Sequence, residues 1–482
     1  MKALTERVRP LVAVGVFVLL ALTTLISPVA DAEDVVIEDH SISLDPQWLK
    51  QLENARPGQS IYLPFVDGQS LTLRTRSVRR FEEGFSWVAD TTGKDSGGVT
   101  LSVTNLGVIG WIDYGGERFR LFGNAKAGYV LREIDTWNAP EPSSDDTVPG
   151  DTSSHDDKTI WTSLEHAKSG IELLEKTNRL EAAGIDITDL IARLEPDDGS
   201  VIDVLIVYTP AAEEYFYNIH GQNWRYEFGM QIDQVNRVFN DSGVETSLRL
   251  VNNSPIDYRV KDPTLLDDLL SLQAGDVDDV KTLRDAHRAD LVVLVVNNDI
   301  PLGSASKRNC GRGFYLSDIA QPGQDPLPFS GKGLFANKGF SVVDADCIFY
   351  GYTLAHEIGH NLSAHHDHYA LAQQKKRFNR AGRTFNIPSP SYARGFNLVG
   401  PQVRTVMSYA DFCRDIMGVT CPVIGRFSNP QAPYDQVPHV GYPTGIADMP
   451  NSVLDATDNV RAMNRAVWTV ANFRSSTFGP FP

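Results

Sequence analysis

The chain has 482 residues and 42% hydrophobic content, enough for two or three domains with ordinary cores. Its formal net charge of -17 argues against nucleic acid as a partner, because phosphate binding calls for a basic surface. Glycine clusters are present without a GxGxxG or GK[ST] context, so nucleotide binding has no support either.

In chain order, Lys2, Arg7 and Arg9 precede an apolar run from Leu11 to Ile26, and Ala30-Asp31-Ala32 offers a small-residue cleavage site. Residues 1–32 therefore read as a signal peptide, and the expected product is secreted (extracellular), with no membrane contact after cleavage. The run is short for a membrane anchor, and no later segment is apolar enough to span a bilayer. Residues 33–137 read as a β-rich module. Ser70-Leu71-Thr72-Leu73-Arg74, Val99-Thr100-Leu101-Ser102-Val103 and Arg118-Phe119-Arg120-Leu121 alternate, with glycine turns at Gly97-Gly98 and Gly115-Gly116. Residues 138–198 form an acidic, Pro- and Ser-rich linker that continues into a short helical segment.

Residues 199–482 change character. Val201 to Val207 is a nearly unbroken apolar run, as in a strand buried on both faces. Phe228, Ile232, Val235 and Phe239 then recur at helical spacing up to Gly243. Further strands are expected at Thr246 to Val251 and Leu291 to Val296, a helix at Val280 to His287, and a closing helix at Asp458 to Phe473. Strands alternating with helices predict an α/β sandwich on a twisted, mostly parallel sheet. Four cysteines, Cys310, Cys347, Cys413 and Cys421, allow three pairings. We expect Cys310 with Cys347 and Cys413 with Cys421, because each pair joins neighbours in a loop-rich stretch.

The segment His356 to Asp367 reads HEIGHNLSAHHD. His356 and His360 are four apart and share one helical face, with Glu357 beside them. Leu354, Ile358 and Leu362 form an apolar stripe on the opposite side, leaving the histidines to face a cleft. His366 lies too far on to share that face, so the chain must turn after Leu362 to return it as a third zinc ligand. Three protein ligands leave one position open, the mark of a catalytic rather than a structural zinc site.

With Val406-Met407-Ser408-Tyr409 downstream, the chain resembles the metzincin metallopeptidases, whose pattern is HExxHxxGxxH followed by a Met-turn. Asp367 after the third histidine looks like the reprolysin branch. Arg426-Phe427-Ser428-Asn429-Pro430 and Asp458-Asn459-Val460-Arg461 look most like bacterial peptidyl-Asp metalloendopeptidases. The resemblance implies an α/β metzincin-type catalytic domain, with zinc-site helix and Met-turn, preceded by an all-β prodomain. It makes His356, His360 and His366 the Zn2+ ligands, in preference to His365 or His368. Glu357 becomes the general base, Met407 the floor of the metal site, and Tyr409 an oxyanion stabiliser. It also implies Phe340-Ser341-Val342-Val343 as an antiparallel edge strand lining the cleft. Calcium is a second ion that related secreted peptidases carry, though no EF-hand pattern is present. Ser363 replaces the metzincin glycine at a position that calls for a positive φ.

The expected function is that of a zinc endopeptidase made as a zymogen, acting on peptide or protein substrates through a zinc-activated water, with its own prodomain as inhibitor. Since no cysteine lies between Glu33 and Asn309, inhibition must use another ligand, with Asp135 as a candidate, or steric cover of the cleft. The S1′ wall would be Ala410 to Phe427, where Arg414 and Arg426 are candidates for pairing with an acidic substrate side chain N-terminal to which cleavage occurs. The alternative is a catalytically silent zinc-holding binding or inhibitory protein, against which an intact Glu357 argues.

Overall fold

The computed structural model describes residues 36–92, 97–136, 147–149, 198–277, 279–298, 309–316, 336–382, 390–437, 440–447 and 455–474. The segment expected to be a signal peptide and most of the expected linker and helical segment lie outside these.

The N-terminal module is an eight-stranded antiparallel sheet in which neighbours in sequence pair in turn, closed at one side by the first strand. Its strands are β1 (Val36–Ile42), β2 (Ser60–Pro64), β3 (Ser70–Phe81), β4 (Gly84–Thr91), β5 (Gly98–Thr104), β6 (Gly107–Tyr114), β7 (Glu117–Asn124) and β8 (Gly128–Ile134). The sheet is longer than its alternation suggests. It also carries a helix, α1 (Pro46–Glu53), started by Pro46 at the first helical position and by Asp45, whose carboxylate accepts from Gln47 N–H. Trp48 and Leu52 of α1 close one face against Trp87 and its neighbours.

The other face is covered too, which is why β5 is buried along nearly its whole length. It lies on the helix Glu227–Ser242 and shares a core with it: Trp111 and Ile134 of the module belong to the cluster that contains Ile202, Phe228 and Phe349. Charges seal this contact. Buried Arg120 donates to the equally buried Glu227 carboxylate, Arg76 meets Asp241 at 2.5 Å, and Arg79 meets Asp233 at 2.7 Å. The Arg118 guanidinium stands 4.0 Å from the Trp111 ring and 3.8 Å from Tyr352.

The C-terminal region opens with β10 (Val201–Tyr208), followed by α2 (Pro210–His220), α3 (Glu227–Ser242) and β11 (Ser247–Pro255). Then come α4 (Leu266–Ala274), α5 (Val280–Ala286), β12 (Leu291–Val296), β13 (Gly311–Tyr315) and β14 (Phe340–Asp344). Thr209 caps α2, and Gly243 ends α3 at φ 85°. The sheet order is β11-β10-β12-β14-β13-β9, where β9 is the linker segment Thr147–Pro149. All pairings are parallel except β13 with β14.

One expectation is corrected here. Phe340 to Val343 is not the antiparallel edge strand: it is interior and runs parallel to β12, and the antiparallel strand is Gly311–Tyr315. Three glycine- and Arg-containing residues, Gly311-Arg312-Gly313, carry no strand signal in isolation. The sheet supplies the hydrogen bonds that hold them extended.

Candidate metal centre and active site

Past the sheet come α6 (Ala345–Tyr350), α7 (Thr353–Asn361) and α8 (His368–Arg380), with α9 (Asn459–Val470) closing the chain. Helix α7 carries HEIGHN. Leu354, Ile358 and Leu362 are buried in the main core, as their spacing requires. The helix ends where expected: Ser363 adopts φ 69°, and Ala364 N–H returns to Gly359 C=O at 2.9 Å. Serine in this conformation costs about 1 kcal/mol. Its hydroxyl, donating to Leu316 C=O at 2.6 Å, offsets that cost.

This turn brings the third histidine back. One candidate nitrogen from each of His356, His360 and His366 lies within 4.8 Å of the others, and all three residues are buried. They form the one such group of three metal-ligating side chains among the described residues, and Asp135 is not part of it. His366 Nε2 lies 3.0 Å from His360 Nε2. Two nitrogens held by a tetrahedral zinc at 2.0–2.1 Å stand about 3.3 Å apart, so the spacing fits that ion. The opposite ring nitrogens agree: His356 Nδ1 faces Val406 C=O at 2.8 Å and His360 Nδ1 faces Ala364 C=O at 2.9 Å. Each Nδ1 therefore carries the proton, which leaves Nε2 with a lone pair for a metal.

Glu357 is wholly buried and lies under the cleft strand. A Cβ on Gly311 would overlap Glu357 Oε1 and stand 2.8 Å from its Cδ, and one on Gly313 would stand 3.1 Å from Oε2. These glycines let β13 close over the carboxylate, a role that sequence spacing does not reveal. Met407 is fully buried beneath α7, where a Cβ on Gly359 would stand 3.0 Å from its Sδ. Tyr409 Oη is 3.0 Å from His366 Nε2, and its backbone N–H donates to Asp367 Oδ2 at 3.0 Å. Asp367 also caps α8 through Tyr369 and Ala370 N–H, so one carboxylate ties the third ligand, the Met-turn and the next helix together.

His365 is set apart from the metal group: its Nδ1 accepts from His366 N–H at 2.7 Å. His368 Nε2 faces Ala456 C=O at 3.2 Å. Both expected cystines form, Cys310–Cys347 and Cys413–Cys421. Of the two candidate specificity residues, Arg414 is exposed and paired with Asp411 and Asp415 at 2.5 and 2.9 Å. Arg426 donates to Asp241 C=O and lines the crevice shared with Asp113 and Arg118 of the β module. A third arginine, Arg404, lies buried behind the Met-turn, donating to Cys421 and Ser408 carbonyls at 2.9 and 2.6 Å, and burial pulls its guanidinium down to about 10.

The comparisons agree with this geometry. Residues 227–367 match the family model of M12B reprolysin-like metallopeptidases. Together with the relatives below, this match supports a reprolysin-like zinc metalloendopeptidase. The chain is 25% identical over 435 residues to a peptidyl-Asp metalloendopeptidase of Xanthomonas campestris, covering 87% of this chain and 83% of that protein. It is 27% identical over 290 residues to a protein of the same name from Stenotrophomonas maltophilia, covering 59% of this chain and 55% of that protein. Among solved structures, it is similar to metalloproteinase-II from Bacteroides fragilis at TM-score 0.34 and 12% identity, over 69% of this chain and 83% of that one. A chaperone-substrate complex gives 0.38 at 19% identity, over 57% and 35%. Both scores are too low to define the fold. No helix among the described residues is long and apolar enough to cross a membrane.

Proposed function

We propose that the protein is a secreted endopeptidase made as a zymogen, with residues 1–32 as signal peptide, 33–137 as prodomain, 138–198 as linker and 199–482 as a metzincin-type catalytic domain cutting on the N-terminal side of Asp. The observation that carries the peptidase reading is the buried triad of His356, His360 and His366, with Glu357 on the same helix. Zinc, when bound there, supplies a Lewis acid and lowers the pKa of a water towards about 7. Glu357 takes the proton from the attacking water on its carboxylate and passes it to the leaving amine. The Tyr409 hydroxyl donates to the oxygen that gains charge as the scissile carbonyl is attacked. His356 and His360, each anchored through Nδ1 to a backbone carbonyl, keep their orientation throughout.

Latency is supported by two features. The linker strand Thr147–Pro149 adds to β13 in parallel, along the edge where an extended substrate backbone would pair. In the full chain the triad and Glu357 are also all buried. Support for Asp specificity comes from the name shared by the two relatives and from the arginines near the Met-turn. Arg426 is committed to Asp241, so Arg414 is the residue to test first, exchanging Asp411 or Asp415 for a substrate carboxylate. The test is digestion of a peptide library by the processed, zinc-loaded enzyme, with cut bonds read by mass spectrometry. Cuts before Asp, weakened by Arg414→Ala, are expected. A profile dominated by Leu or Phe on the C-terminal side of the cut would remove the acidic pocket and leave the peptidase intact.

A further inference from the structure

The third ligand is the hardest of the three to hold. His356 and His360 sit on a helix, whereas His366 follows a turn whose backbone has left the helical hydrogen-bond ladder. The main chain just before it is gripped from far away in sequence. Asn459 Oδ1 accepts from His365 N–H at 2.9 Å, and Asn459 Nδ2 donates to His365 C=O at 3.1 Å. One side-chain amide thus brackets one residue, donating on one side and accepting on the other. The same His365 carbonyl also accepts from Gly395 N–H at 2.9 Å.

Asn459 is itself oriented. It is wholly buried at the start of α9, and its N–H donates to Ser428 Oγ at 2.9 Å. That hydroxyl in turn donates to Arg394 C=O at 2.5 Å, and Val460 N–H donates to Ser428 C=O at 3.1 Å. The two sequence motifs around Ser428 and Asn459, which the chemistry leaves unused, therefore meet behind the zinc site.

We infer that Asn459, oriented by Ser428, is a positioning residue that holds the His365–His366 peptide and thereby aims the third zinc ligand. The inference rests on the three-histidine zinc site. Only asparagine provides both a donor and an acceptor in this geometry: an aspartate in its place would keep the acceptor but set a second oxygen against the His365 carbonyl, and a leucine would provide neither. Outer-shell partners of this kind are worth about 10–100-fold in metal affinity or activity.

The test measures zinc release from the full-length protein to an excess of chelator, together with kcat, KM and far-UV circular dichroism of the processed enzyme. Asn459→Asp, Asn459→Leu and Ser428→Ala are compared with Asn464→Ala. Asn464 docks the same helix elsewhere, to Gly243 C=O and Glu245 N–H, and serves as the control for helix loosening. Zinc should leave about tenfold faster or more from both Asn459 variants, and a lesser amount faster from Ser428→Ala, with kcat reduced and KM unchanged. Asn464→Ala should release zinc at the wild-type rate. Equal zinc release in wild type and in the Asn459→Asp protein, or equal acceleration by Asn464→Ala, overturns the positioning role. A wild-type protein that takes up no zinc would instead overturn the metal site itself, so the two failures are separable. If Asn459→Leu fails to fold, Asn459→Asp, nearly the same shape, decides the question.

Discussion

At the scale of single residues, the proposed chemistry depends on a carboxylate whose position is set by what is missing opposite it. Glu357→Gln should bind zinc stoichiometrically and fold normally yet lose about 10²–10⁴-fold in kcat, the usual worth of general-base help. Metal analysis beside the rate measurement checks this, and wild-type turnover would sink the mechanism. Gly311→Ala attacks the same group indirectly. Its methyl would overlap Glu357 Oε1, with the cystine at Cys310 limiting the strand's retreat. Displacing a catalytic group by such a step costs on the order of 10²-fold, so kcat should fall while zinc content stays whole. His366→Ala should lose zinc. If His365→Ala loses it instead, the ligand register is wrong.

At the scale of elements, the contact between β7 of the module and helices α2 and α3 is expected to respond to pH. Burial alone would raise the Glu227 carboxyl, but the Arg120 charge and a hydrogen bond from His220 outweigh it and hold the group down to about 2. Burial also pushes His220 down, with Arg120 and Arg132 adding to the effect and Glu227 opposing it. Phe122 and Phe349 complete the walls around its ring. The signs follow from linkage. A depressed carboxylate stabilises the fold above its ordinary value of about 4.3, and that stability is lost as pH falls towards 2. A depressed histidine is protonated in the unfolded chain below about 6.5 while it stays neutral when folded, so stability starts to fall there. Thermal unfolding of the full chain should therefore shift downwards from about pH 6.5 to 5. His220→Phe should flatten that window, leaving the steeper loss below about pH 4.5. An identical slope in both proteins would exclude His220 as the origin.

At the scale of the whole molecule, the module docks on α3 and the strand at 147–149 pairs with the β13 edge, so the chain ahead of Val201 contacts the region that holds the triad at two places. Cutting an introduced protease site within residues 150–197 frees the downstream end of the strand at 147–149. Removing 147–149 altogether should raise peptide-cleaving activity of the uncut chain at least about tenfold, provided the strand is the cover; unchanged activity would move the cover elsewhere. N-terminal sequencing of the mature secreted form should place its start at Leu194 to Ser200. A fully active chain beginning at Glu33 would contradict the zymogen.

What the sequence by itself determined is local chemistry. HEIGH announces two ligands because helical periodicity aligns residues four apart. The φ 69° at Ser363 follows from the need to turn before His366, and the core strands β10 and β12 follow from unbroken apolar runs. The two cystines, Cys310–Cys347 and Cys413–Cys421, are one of three pairings that the sequence allowed, and the folded chain selects it. The tertiary structure alone decided the rest. Gly311 and Gly313 matter because of Glu357, and Asn459 because of His365, pairs distant in sequence that no spacing rule connects. The antiparallel strand lies at Gly311–Tyr315 and not at Phe340 to Val343 for the same reason. A short apolar run states that it is buried, whereas the direction and rank of a strand in its sheet come from its partners, and only the folded chain assembles those.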